Sequence, residues 1–320
     1  MKLLLVGPYP PPHGGVSVHV AGLKERADRM GMPCRVLNSD RSAPDSRNYL
    51  RTRSSLQFIN ALVSHSFDGW TIHVHTNGHN TRSWLVALAC ALAGIAGRKP
   101  SRLTLHSGMT PEYLSDSIHR RWLAWMTCRM FGEITCVSLR IRTALESLGL
   151  HPEKIEVAHA GNESIESSVS LVKNNGAEPI GDIAKWLQKH RPVLAATGSE
   201  TPEYGINLLL DAVGHLSARF PNVGCVVMGL NNPNRPDNVL TVGDIPHLDC
   251  LGLISKADVF VRPTFADGDS ISVREALAMN VPVVASDCAR RPDGTVLFQT
   301  GNSEDLATRL ECVLHQYSAK

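Results

Sequence analysis

The chain has 320 residues, 43% of them hydrophobic and 19% charged, with a net charge of +2. That length carries two domains of ordinary size, the apolar share supplies packed cores and excludes a disordered chain, and the near-neutral balance excludes a dedicated nucleic-acid binder. Eight cysteines without a Cys-x-x-Cys pair or a regular spacing exclude a disulfide scaffold, and they read as reduced, mostly buried thiols of a cytoplasmic protein.

The N-terminal MKLLLVGPYPPP has too short an apolar run for a signal peptide. Leu3 to Gly7 reads as a buried parallel strand, followed by a proline-stiffened loop and a helix from about Val16 to Met30. Gly14 and Gly15 let backbone approach a ligand at that helix N-terminus, or form a simple hinge; the dinucleotide GxGxxG spacing is absent. Strands are expected at Cys34 to Asp40 and Trp70 to Asn77, the latter carrying His73 and His75 on one face with His79 beyond. With no Cys or carboxylate beside them, these histidines read as core or loop-lining residues and no metal is assigned. Trp84 to Ala96 is too short to span a bilayer and reads as a buried helix. The strand Ser101 to Gly108 ends in His106, where α/β sheets place ligands. The basic, Trp-containing helix His119 to Gly132 reads as packed with its arginines solvated, and is also compatible with peripheral contact at an anionic membrane surface.

Glu163 to Gly181 is polar and weakly patterned, the best linker candidate, and Pro192 to Gly198 then restarts the strand–glycine–helix pattern. The expected architecture is α/β, two Rossmann-like β/α/β domains, residues 1–165 and 166–320, facing a central cleft that is the default ligand site, with the final helix (Ser303 to Gln316) a candidate to pack back on the first domain. At the centre of the second half stands FVRPTFADGDSISVREALAMNVPVVASD, Phe260 to Asp287. An acidic loop feeds a helix, and Asp267 and Glu275 bracket its N-terminus, an arrangement suited to a phosphate attached to a polyhydroxylated group. The plain alternative is a strand–helix connection with a Ser or Asp cap.

These residues resemble the family-4 retaining glycosyltransferases of the GT-B fold. Asp267-x7-Glu275 followed by VPVVASD stands where that family has Glu-x7-Glu and a similar strand; PYPPPHGGVSVHV, LTLHSG and ATGSETPEYGINLLLDAV are similar to its glycine-rich loop, its His strand and its first C-domain unit. The resemblance implies that Glu275 hydrogen-bonds the nucleotide ribose and that Asp267 faces the donor sugar. It implies that backbone N–H groups around Ser270 and Ile271 hold the distal phosphate, that Gly14 and Gly15 approach the phosphates, and that His106 contacts the sugar near the reacting carbon. It further implies a nucleotide-sugar donor, a glycan or lipid-linked acceptor, no cofactor and no metal, in bacterial surface polysaccharide assembly at the inner face of the membrane.

The chain departs from the family in three places. The first acid is Asp267; the Gly-Arg…Lys diphosphate clamp is replaced by Gly198-Ser199 and Tyr204; and the glycine loop is Gly268-Asp269-Ser270. Asp267-Gly268-Asp269 spells Asp-x-Asp, but in this context it reads as a loop variant. Losing two cations at a diphosphate removes charge-assisted contacts of about 1.5–3 kcal/mol each. Arg262 is the expected replacement, with pairing to Asp267 or Asp269 as its alternative role; Arg274 is a second candidate that its helix position turns away. A non-catalytic partner subunit and a GT-B-fold sugar-nucleotide epimerase are the competing functions.

Overall fold

The computed structural model describes residues 1–158, 162–175 and 181–318, which form two compact units, Met1–Gly161 and Asn162–Lys320. The first alternates strands β1 (Lys2–Gly7), β2 (Cys34–Asn38), β3 (Trp70–Thr76), β4 (Arg102–Leu105), β5 (Glu133–Cys136) and β6 (Ile155–Val157) with helices α1 (Gly15–Arg29), α2 (Ser55–Phe67), α3 (Thr81–Ala96), α4 (Thr110–Ser115), α5 (Ile118–Met130) and α6 (Leu139–Glu146). The six strands form one sheet in the order β2-β1-β3-β4-β5-β6, every neighbouring pair parallel. Leu4, Leu5 and Val6 are fully buried, as a central strand covered on both faces requires. The strand order reverses between β1 and β3, which makes their C-terminal ends the topological switch point of this sheet. Helix α5 buries Ala124, Thr127 and Cys128 and leaves Trp122 and Ile118 exposed.

The second unit contains α7 (Asn162–Asn175), α8 (Gly181–Lys189), β7 (Val193–Thr197), α9 (Ile206–Ser217), β8 (Gly224–Met228), β9 (Val239–Val242), α10 (His247–Ser255), β10 (Val259–Arg262), α11 (Ile271–Ala278), β11 (Val283–Ser286), β12 (Thr295–Phe298) and α12 (Ser303–Ser318). Its parallel sheet has the order β12-β11-β10-β7-β8-β9, so the switch point lies between β7 and β10. Leu306, Leu310, Val313 and Leu314 of α12 close this unit's own core with Leu209, Val213 and Phe298.

The stretch expected to be a linker is largely helical instead. Ile165, Val169 and Val172 recur at helical spacing and are buried, which gives α7 an apolar stripe that its many Ser and Asn residues disguise in the sequence. Residues 176–180 of that stretch lie outside the described residues. Among the described residues no helix is long and apolar enough to cross a membrane.

Candidate active site

The second unit gathers its polar side chains at its switch point. Strands β7 and β10 run side by side with Ala196 opposite Val261, so Thr197 and Arg262 end them together. Arg262 Nη1 donates to Thr197 O at 3.3 Å and to Thr197 Oγ1 at 3.2 Å, and its guanidinium lies 5.3 Å from the ring centroid of Tyr204. The turn carrying Tyr204 closes on Gly205, whose φ of 65° only glycine adopts freely and whose added Cβ would meet Pro263 O at 2.0 Å. Gly198 is a packing residue, since a Cβ there would lie 2.5 Å from Ile206 Cδ1. Ser199 Oγ pairs with Thr201 Oγ1 at 3.0 Å.

From Thr197 a chain of hydroxyls leads to α11. Thr197 Oγ1 lies 3.3 Å from Ser272 Oγ, which lies 3.1 Å from Ser270 Oγ. Ser270 is the N-cap of α11, yet its side chain makes no cap hydrogen bond. The first-turn N–H groups of the helix, with Ile271 leading, therefore keep the partial positive charge that attracts an anion, with a guanidinium at the other end of the hydroxyl chain.

Asp267 is held between two arginines. Its Oδ2 accepts from Arg262 Nε at 3.0 Å and from Arg291 Nη1 at 2.8 Å, and its Oδ1 accepts from Gly268 N at 3.1 Å. Burial alone would raise this carboxyl; Arg262 and Arg291 overcome it and hold Asp267 well below the usual carboxylate range. Burial works in the opposite sense on Arg262, and Asp267 offsets it, so that the guanidinium stays charged. Arg262 thus adopts the loop-ordering pairing with Asp267, whereas Asp269 takes Arg274, Nε to Oδ1 at 2.8 Å. The charge of Arg274 is spent inside the loop. Glu275 is buried in the middle of α11, and its Oε1 accepts from His247 Nε2 at 2.7 Å.

In the first unit Gly14 is the N-cap of α1 and its N–H donates to Ser17 Oγ at 2.8 Å. Nothing lies within 4 Å of a Cβ built on Gly15, so the backbone there is open to a close approach. His106 follows β4 beside the first switch point. Its Nε2 lies 3.3 Å from His75 Nδ1, and the rings of both stand near His19 of α1, at centroid distances of 5.3 Å to His75 and 5.0 Å to His106.

Burial keeps these imidazoles neutral. It pushes His19 down to about 4 and, with His73, Arg102 and each other adding repulsion, holds His73 at about 3 and His75 and His106 well below the ordinary value. The His73 and His75 rings, whose spacing is visible in the sequence, lie 4.1 Å apart, but the group whose ring nitrogens converge is a different one. His19, His75 and His106 offer ligand atoms within 4.8 Å of one another, while His73 Nε2 is at 2.8 Å from Thr104 Oγ1 and His79 Nδ1 at 2.9 Å from Ser107 Oγ. Among the described residues this is the one such group that could hold a metal.

The structure brings Arg262, Asp267, Asp269, Ser270, Ile271 and Glu275 together around the N-terminal turns of α11, with Gly198 and Ser199 following β7. Gly14, Gly15 and His106 belong to the first unit. Sequence reasoning missed Arg291, His247, Thr197, Ser272 and His19. Only Thr197 had a usable signal, as the last residue of a strand before a glycine loop.

A family model described as "Glycosyltransferase Family 4" matches residues 13–162, and one described as "Glycosyl transferases group 1" matches residues 191–316. A phosphatidyl-myo-inositol mannosyltransferase from Propionibacterium freudenreichii subsp. shermanii is 25% identical over 224 residues, 67% of this chain. The chain spans 55% of that relative's length. Among solved structures, the sucrose-phosphate synthase of Thermosynechococcus elongatus superposes with a TM-score of 0.71 at 17% identity, covering 98% of this chain and 90% of that one. Anabaena Alr3699/HepE in complex with UDP-glucose gives 0.68 at 16% identity, covering 99% and 91%. These two share the fold. With a glycosyltransferase model matching each half and two parallel sheets that superpose on these structures, the chain has the GT-B fold and two glycosyltransferase domains.

Proposed function

We propose that the chain is a retaining, metal-independent glycosyltransferase that moves a sugar from a nucleoside-diphosphate sugar to a glycan or lipid-linked glycan in bacterial surface polysaccharide assembly. The observation that carries this reading is the hydroxyl chain from Arg262 through Thr197, Ser272 and Ser270 to the N-terminus of α11, which the Ser270 side chain does not cap. It offers a cation, hydroxyl donors and helix N–H groups to one anion, on the helix that also carries Glu275. The mannosyltransferase relative and the structure solved with UDP-glucose agree with a sugar donor of this kind.

In this reading Arg262 and the α11 N–H groups take the diphosphate, Glu275 takes the ribose and Asp267 stands by the sugar. The acceptor hydroxyl oxygen bonds to the anomeric carbon on the face from which the phosphate oxygen departs. The bond between that carbon and the phosphate oxygen breaks, and the hydroxyl proton passes to the departing phosphate. The protein's contribution is to stabilise the developing phosphate charge and to position the acceptor. His106, neutral and hydrogen-bonded to His75, suits contact with a sugar hydroxyl near the reacting carbon. The donor-binding test is a thermal-shift screen of UDP-, GDP- and ADP-sugars, since a bound donor stabilises by mass action. Transfer is then followed with the best donor, with and without EDTA, reading the anomeric configuration of the product. Stabilisation by no nucleotide sugar overturns the reading, and donor binding without transfer or hydrolysis leaves a non-catalytic partner subunit in its place.

A further inference from the structure

Arg262 and Arg291 donate to the same oxygen, Asp267 Oδ2, at 3.0 and 2.8 Å. A single buried carboxylate needs one counter-charge, and here it has two. The two are not equivalent. The Arg291 side chain is 3% exposed, and it is fixed on every side: Nε donates to Ser286 O at 3.0 Å, and Nη2 to Thr264 Oγ1 at 3.0 Å and Ser286 Oγ at 3.1 Å. Ser286 is pinned in turn by its own bond to Thr264 O at 2.6 Å. Arg262 is 12% exposed, stands at the switch point, and, besides a second and longer bond to Asp267 from Nη2 to Oδ1 at 3.5 Å, makes its hydrogen bonds to Thr197, the first link towards α11.

If Arg262 were the sole partner of Asp267, its departure would leave a buried carboxylate uncompensated, and it would stay where it is. With Arg291 locked on the same oxygen, that penalty is removed. We propose that Arg291 is a positioning residue, the permanent counter-ion of Asp267, and that it frees Arg262 to turn onto the diphosphate of the donor. The lost clamp cations are then replaced by a pair of arginines with divided labour, one anchoring the loop acid and one exchanging between that acid and the ligand. The proposal rests on the reading of Arg262 as the diphosphate contact and adds a residue 29 positions beyond it in the chain.

The test is calorimetric binding of UDP, GDP or ADP, using whichever the wild-type chain binds tightest. Arg262→Met weakens binding by about tenfold or more, the scale of one lost charge-assisted contact. Arg291→Met weakens it by about as much, although it removes nothing that touches the nucleotide, because Arg262 is then held on Asp267. Arg291→Lys, which keeps the charge, restores most of the affinity. In the double variant Asp267→Asn, Arg291→Met the neutral amide no longer holds Arg262, and binding returns to within about threefold of wild type.

A merely structural Arg291, bracing Ser286 and Thr264, predicts no such rescue, so a double variant as weak as Arg291→Met overturns the proposal. Wild-type affinity in Arg291→Met overturns it as well, while leaving Arg262 as the diphosphate contact if Arg262→Met is weak. Wild-type affinity in Arg262→Met removes that contact and this proposal together. Should Arg291→Met fail to fold, the double variant decides alone, near-wild-type binding supporting the proposal and a tenfold loss overturning it.

Discussion

His247 Nε2 lies 2.7 Å from Glu275 Oε1, which ties the first residue of α10 to the second acid of the signature in α11. If Glu275 receives the donor ribose, as proposed, it gains from a partner that fixes the plane of its carboxylate. Glu275→Gln is expected to raise the donor KM by about tenfold, the equivalent of one charge-assisted hydrogen bond at the low end of its range. His247→Ala is expected to raise it less and to leave kcat close to wild type, because it releases the carboxylate without removing it. Steady-state kinetics with the donor found by thermal shift checks both, and an unchanged KM in Glu275→Gln would remove the ribose contact.

Asp267 predicts a specific response to acid. Burial opposes its ionisation, but Arg262 and Arg291 hold its carboxyl well below the usual range. The unfolded chain takes up this proton first, near pH 3.9, so the stability that Asp267 contributes is complete above that pH and is lost as the pH falls towards the folded-state value. Asp267→Asn breaks the buried pairing and is expected to cost about 3 kcal/mol at pH 7. Urea unfolding, followed for the transition of the second unit, should show this gap narrowing below about pH 4. A gap of constant size down to pH 2.5 would mean that the ion pair contributes nothing.

The histidine cluster predicts acid sensitivity of the other unit, at higher pH. His19 is pushed down to about 4 and His73 to about 3, in each case by burial first. In the unfolded chain a histidine titrates near 6.5. Both states are neutral above that value, so the cluster costs nothing there. Between about pH 6.5 and 4 only the unfolded chain gains protons, and the stability of the folded unit declines. His19→Gln removes one of these groups and also the repulsion it exerts on His75 and His106. The variant is therefore expected to show a shallower fall in unfolding midpoint across that window, measured by urea titration at pH 7, 6, 5 and 4.5.

The fold was legible because parallel strands buried on both faces are written as continuous apolar runs, as in Leu3 to Val6 and Val259 to Val261. The helix within the linker candidate, α7, was not legible for a related reason: one narrow stripe of Ile165, Val169 and Val172 among Ser and Asn carries little signal. In the site, Arg262 stood out because a charged residue closes an otherwise apolar strand before a loop rich in Gly and Asp. Arg291 and His247 did not, because each meets its acid across 24 and 28 residues of chain, and nothing in an RPDG turn or a helix start shows which carboxylate it will meet. His19 escaped for the same reason: its partners lie on β3 and after β4, and only the sheet order brings them to α1.

The glycines separate backbone geometry from ligand contact. Gly205 has a φ of 65° and no room for a Cβ, which would lie 2.0 Å from Pro263 O. Gly205→Ala is expected to destabilise the second unit by about 1–3 kcal/mol and to shift Pro263, the neighbour of Arg262. Gly15 is the opposite case. It is the first residue of α1, and nothing lies within 4 Å of a Cβ built there. Gly15→Ala should therefore stabilise the folded chain by about 0.4–1 kcal/mol, since alanine restricts the unfolded chain and fits the helix. If donor phosphates approach this backbone, the added methyl stands in their way, and the donor KM rises by roughly tenfold, about 1.4 kcal/mol. A raised unfolding midpoint together with a raised KM in one variant identifies Gly15 as a ligand-approach position. A raised midpoint with an unchanged KM makes it a hinge, and the opening above it then serves no donor.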